Sequence, residues 1–301
     1  MIRRSAAVFV FLALLLCSAC RVPEPACLRL ENETVRVDVL DPAERPARRT
    51  VGCRFMLGGW LKRLQFRDNG RELFKSRTVH PRLPAFGLAF EFFPGPEFSV
   101  NPETGGITRL QYGVGIVEQE AGKRFETRPL EYFPWRGGLT VENVLTAYQS
   151  ADVDAGYAYQ LSVRVELRHA GILVCRFDMR NTGRLPIETE FYAHPFFEAA
   201  DGLDGWRFRL PGAAWRAVAE APCELEAGGF RNSRGEQGVW IETPDGIRCS
   251  IRASVPLSRA VFWKNGRDCF AVEPFIPVSI PPGGRKQWNY LLAVSGVQRA
   301  E

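Results

Sequence analysis

Apolar and polar residues alternate with a period of two along much of this chain. In Val35-Arg36-Val37-Asp38-Val39-Leu40 the valines take every second position. Leu161, Val163, Val165 and Leu167 do the same, and Leu173, Cys175, Phe177 and Met179 repeat the pattern shortly afterwards. Successive side chains of a strand point to opposite faces, so these runs predict half-buried β-strands. The last two flank Arg168-His169-Ala170-Gly171 and together predict a hairpin. Thr243-Pro244-Asp245-Gly246 predicts a second hairpin and Lys264-Asn265-Gly266-Arg267 a third, because Asn-Gly supplies the positive φ of a tight turn. No segment carries a long apolar stripe of period 3.6 with caps at both ends. "VENVLTAYQSA" comes closest: Val141, Val144, Leu145 and Tyr148 fit a short helix and a strand equally well. With no repeat, low-complexity tract or linker after Cys27, the expected fold is all-β. It is a large antiparallel β-sandwich, one domain over residues 28–298.

The N-terminus departs from this pattern. Arg3 and Arg4 precede an apolar run from Ala6 to Leu16, followed by small residues. That is the layout of a secretory signal peptide, residues 1–19, and the run is too short for an ordinary membrane span. Leu16-Cys17-Ser18-Ala19-Cys20 resembles a bacterial lipobox with Cys20 as the lipidated residue, although Cys17 stands where a leucine is usual. Residues 20–27 then make a short proline-rich tether. These features predict an exported protein of the bacterial cell envelope, lipid-anchored in the periplasm or at the outer membrane, touching the membrane through that anchor alone.

Without the leader the formal charge falls from +5 to +3, by loss of Arg3 and Arg4. The remaining charges are mixed in sign, with no basic block that would suggest nucleic acid. Cysteines 27, 53, 175, 223, 249 and 269 contain no CxxC, so no metal site is expected. Cys175 falls on a buried strand face, and most of these thiols read as small buried hydrophobes, with room for one disulfide.

Only three histidines occur. His194 lies in Phe191-Tyr192-Ala193-His194-Pro195-Phe196-Phe197, after a hairpin and an Asn181-Thr182-Gly183 turn. Downstream come Glu273-Pro274, then Pro282-Gly283 and a final strand. Taken singly, a histidine among aromatics is usually a packing residue and a glutamate before proline a solvated strand end. As an ordered set, from about Tyr157 to Val294, they resemble the aldose 1-epimerase family of the galactose-mutarotase-like superfamily. Leu57 to Phe74 resembles that family's opening hairpins less specifically.

The resemblance implies the supersandwich form of the fold, a carbohydrate ligand and no cofactor. It implies a mutarotase that opens and recloses a sugar hemiacetal, with Glu273 as base and His194 as acid. One group takes the proton of the anomeric hydroxyl while the other gives one to the ring oxygen. Phe196 and Trp263 would offer apolar faces to the sugar, both acid and base would share an open, solvent-accessible pocket, and Pro195 and Pro274 would fix the reacting residues at strand ends. The family's earlier histidine is expected near Pro102–Gly113, where this chain has none; Arg109 or Gln111 would stand in. His80 is the only earlier histidine, and His169 belongs to a hairpin turn. The alternative is a carbohydrate-binding lipoprotein on the same fold without catalysis.

Overall fold

The computed structural model describes residues 25–43, 52–74, 86–123, 127–228, 237–265 and 268–296. The leader, Cys20, His80 and the second half of the Lys264–Arg267 turn lie outside these residues.

All described regular structure is β. In chain order the strands are β1 Cys27–Glu31, β2 Val35–Leu40, β3 Leu61–Phe66, β4 Leu88–Phe93, β5 Glu97–Val100, β6 Ile107–Gln111, β7 Gly115–Gln119, β8 Thr127–Tyr132, β9 Trp135–Val141, β10 Val144–Val153 and β11 Tyr157–Leu167. They continue with β12 Ile172–Asn181, β13 Ile187–Pro195, β14 Phe197–Glu198, β15 Arg207–Arg209, β16 Arg216–Ala217, β17 Glu224–Gly228, β18 Gly238–Glu242, β19 Arg248–Ala253, β20 Arg259–Lys264, β21 Cys269–Ile280 and β22 Arg285–Ser295.

One sheet runs β1-β2-β3-β4-β13-β21-β20-β17, with β14 also paired to β21. A second runs β16-β15-β18-β19-β22-β12-β11-β10-β9, and β5 to β8 form a small third sheet. The hairpins expected around residues 168–171 and 243–246 are present as β11–β12 and β18–β19. Ala170 and Gly171 supply the positive φ of the first, at 56° and 68°. "VENVLTAYQSA" resolves as strand β10, because β9 and β11 pair with it on both sides.

The two large sheets meet through aromatic side chains. Phe90 packs on Phe177 with ring centroids 4.8 Å apart, and Phe191 on Trp288 and Tyr290 at 5.1 and 5.9 Å. Each such pair adds about 0.5–1.5 kcal/mol beyond its buried area. Asn181 is wholly buried and organises the turn after β12. Its amide donates to Leu185 O and Ile280 O, both at 2.9 Å, and its Oδ1 accepts from Gly183 N at 3.0 Å. A side chain at Gly183 would meet Ala158 N at 2.4 Å, so the Asn-x-Gly spacing serves the fold. Cys175 and Cys249 are buried as expected, and burial raises both thiols, that of Cys175 to about 12. No disulfide forms among the described cysteines.

Candidate active site

β13 and β21 lie side by side in the first sheet, paired from Ile187↔Ile280 to Tyr192↔Phe275. There the ladder breaks. β13 continues along β4 with His194 opposite Ala89, and β21 is next paired at Phe197↔Phe270. The break falls beside Glu273-Pro274, where proline has no N–H to give a neighbour. Pro195 ends its strand as expected, but Pro274 does not: it lies inside β21, tolerated where β13 has left the ladder. From the other sheet, the Tyr290 hydroxyl donates to Pro274 O at 2.8 Å and holds the back of the site.

His194 and Glu273 meet across this gap, Nε2 to Oε1 at 3.0 Å. Period two places Tyr192 with His194 and Phe275 with Glu273 on one face of the sheet. It is the face away from the Phe191–Trp288 core, and Tyr192, Val261 and Phe275 form their own small apolar cluster on it. Phe196 stacks on the imidazole, centroids 4.0 Å apart and planes 18° from parallel. Phe55 and Trp263 approach it edge-on at 5.4 and 6.3 Å. Both expected aromatic residues thus flank His194, and Phe55 is an addition.

Arg109 sits apart. Its Nη2 donates to Glu97 at 3.0 Å and its guanidinium lies 5.9 Å from the Phe93 ring, with no hydrogen bond to His194 or Glu273. Gln111 donates to Phe92 O at 2.8 Å and Arg54 O at 3.3 Å, docking the small sheet against β4. His169 projects from its turn, its side chain 98% exposed.

The polar group that does stand beside the pair is Arg54. Its Nε donates to Glu91 at 2.9 Å and its Nη2 to the Tyr192 hydroxyl at 3.0 Å, while Tyr192 donates to Glu91. Two signals in the sequence mark this network. Glu91 is the one acid in the apolar strand Leu88–Phe93, and an unpaired charge is rarely buried. Tyr192 lies two residues before His194, hence on its face.

The expected open pocket is corrected by burial: His194 is only 4% exposed and Glu273 7%. Phe196 and Phe55 cover the imidazole, and desolvation governs the chemistry. Burial raises the Glu273 carboxyl to about 8, against the lowering effect of Arg54, with Glu91 raising it further. Burial, then the Arg54 charge, lowers His194 well below its usual value. At neutral pH the pair therefore shares one proton, held as carboxylic acid and neutral imidazole. Burial also works against the charge on Arg54, but Glu91 and Tyr192 more than offset it and keep the guanidinium protonated. His194 Nδ1 has no partner among the described residues, so no second hydrogen bond locks the tautomer. Among the described residues, no group of three or more histidine, cysteine or acidic side chains could hold a metal ion.

No family model matches this sequence, and no curated protein matches it. Solved structures do. A galactose mutarotase-like protein from Lactobacillus casei superposes with a TM-score of 0.60 at 12% identity, covering 89% of this chain and 100% of that one. The fold is galactose mutarotase-like. A second mutarotase-like protein, from Clostridium acetobutylicum, gives 0.57 at 14% identity over 90% and 95% of the two chains. Galactose 1-epimerase from Lactobacillus acidophilus gives 0.53 at 11% over 89% and 93%. On this mutarotase-like scaffold, the break between β13 and β21 is what brings an imidazole and a carboxyl into contact.

Proposed function

We propose that this protein is an aldose 1-epimerase-like mutarotase that interconverts the anomers of a free sugar by acid–base ring opening. The 3.0 Å contact between His194 and Glu273 carries the proposal. Mutarotation needs one group that gives a proton and one that takes it, and a pair sharing a single proton is both at once. With Glu273 as base and His194 as acid, the working form is the ionic tautomer. It has the same proton count as the resting pair, and hydroxyls of an incoming sugar replace the hydrogen bonds that burial denies it. When the ring recloses the roles reverse. Trp263, partly exposed, supplies an apolar face for the sugar's C–H groups, Phe196 backs the imidazole, and Arg54 places a positive charge beside the pair.

A second reading is a sugar-binding protein without turnover. It is favoured by the mutual hydrogen bond, which occupies both groups, and by the absence of histidine from Pro102–Gly113.

The pH profile tests the shared proton. Above about pH 8 Glu273 loses it and no acid remains, so kcat/KM falls. On the acid side His194 resists protonation, so kcat/KM stays level below pH 6.5. A rate that keeps climbing past pH 8 contradicts the shared-proton mechanism.

The same proposal places the protein in the bacterial cell envelope, anchored by lipid on Cys20. Cys20→Ala should move it from the membrane fraction to the soluble one, and retention on membranes argues against the anchor. One acyl chain holds only marginally, so stable attachment requires more than one.

A further inference from the structure

The second large sheet turns another face to solvent, away from His194 and Glu273. Cross-strand neighbours build it in rows. Arg136, Tyr148, Ser162, Asp178 and Gln287 form one row across β9, β10, β11, β12 and β22. Ser150, Gln160, Arg180 and Arg285 form the next. Between large Tyr148 and the arginines, the short serines leave a groove of about 780 Å³. That is within the usual range for a ligand site of roughly 300–1,000 Å³.

Three properties of this groove point the same way. Tyr148 stands half out of it, 50% exposed, where a packing role would bury the ring. Arg285 is held in place by Asp178, which takes its guanidinium on both oxygens and also accepts from Gln287 at 2.8 Å. Arg180 lies directly across from Arg285, exposed, and forms no ion pair with another described residue. A third row adds Arg164 and Arg176, which share Glu166 at 3.6 Å each. Over the three rows and the rows flanking them, arginines 136, 164, 176, 180 and 285 outnumber the acids Asp178, Glu166 and Asp152, so the surface is basic.

We propose that this groove binds an acidic polysaccharide. A planar guanidinium matches a sugar carboxylate fork to fork. The Tyr148 ring takes the apolar face of the adjoining residue, and Ser150, Gln160 and Ser162 meet hydroxyls. A flat anionic membrane would reach the arginines but not the floor between them. The site is separate from His194 and Glu273 and does not depend on their function.

Titration calorimetry of the whole protein with polygalacturonate and with alginate tests this. Binding should weaken with salt and be lost when the carboxylates are esterified. Arg180→Glu and Tyr148→Ala should each weaken it about tenfold or more without changing the melting temperature. Glu273→Gln should bind as wild type does. The proposal is overturned if neither polymer binds, if both groove variants bind as tightly as wild type, or if phosphatidylglycerol vesicles bind in their place.

Discussion

Glu273→Gln should lower the rate of mutarotation by about 10²–10⁴-fold, the usual effect of losing a positioned general base. The substitution keeps shape and can still hydrogen-bond His194, so the loss belongs to the proton and not to the packing. His194→Gln should cost a comparable factor. The double variant should lose far less than the product of the two, because the residues act as one unit. Stability should move the other way. The Glu273 carboxyl is raised to about 8 from a usual 4.5. Between those pH values the unfolded chain releases this proton and the folded one keeps it; up to about pH 6.5 that is offset by the proton the unfolded His194 binds and the folded one refuses, so wild-type stability falls between about pH 6.5 and 8. Glutamine has no such penalty, and the variant should gain on wild type steadily through that window. Thermal melts at pH 5 and pH 8 together with the rate measurement check both halves. An unchanged rate shows that Glu273 is not the base.

Arg54→Met should destabilise the fold by roughly 3–5 kcal/mol, as breaking one partner out of a buried ion pair does. The Glu91 side chain is only 3% exposed and would lose the cation that balances it. Tyr192, which donates to the same carboxylate, cannot replace that charge. Removing both charges with Arg54→Met and Glu91→Gln should recover a good part of the loss. Since Arg54 also lowers the carboxyl of Glu273, the single variant should shift the alkaline limb of the rate profile upward. Urea denaturation gives the first number and kcat/KM against pH the second. A single variant as stable as wild type would show that Arg54 does not neutralise Glu91.

Much of the fold was legible because it rests on local alternation. Val163 and Phe177 announced a buried sheet face, and Gly171 the turn between their strands. Tyr148 and Leu145 were ambiguous because the sequence carries apolar spacing compatible with both periods. Pairing to β9 and β11, contributed by residues on either side, decided for a strand.

The candidate site was legible as residue types and hidden as environment. His194 and Glu273 come from different strands, and their contact depends on the break at Pro274, which local pattern places at a strand end. Their burial depends on Phe55, far away in sequence, so an open pocket was the natural expectation. Arg54 carries no local signal of its role, because its partners, Glu91 and Tyr192, are likewise distant in sequence. Arg109 falls in the segment where the histidine is missing, but its guanidinium is held by Glu97, away from the pair.

The most direct measurement is anomer interconversion followed by NMR over a panel of free aldoses, with the buffer-catalysed rate subtracted. The predicted result is acceleration of at least one sugar by wild type, abolished in Glu273→Gln. A sugar that binds wild type tightly yet never interconverts faster than in buffer would contradict the mutarotase and leave a binding protein.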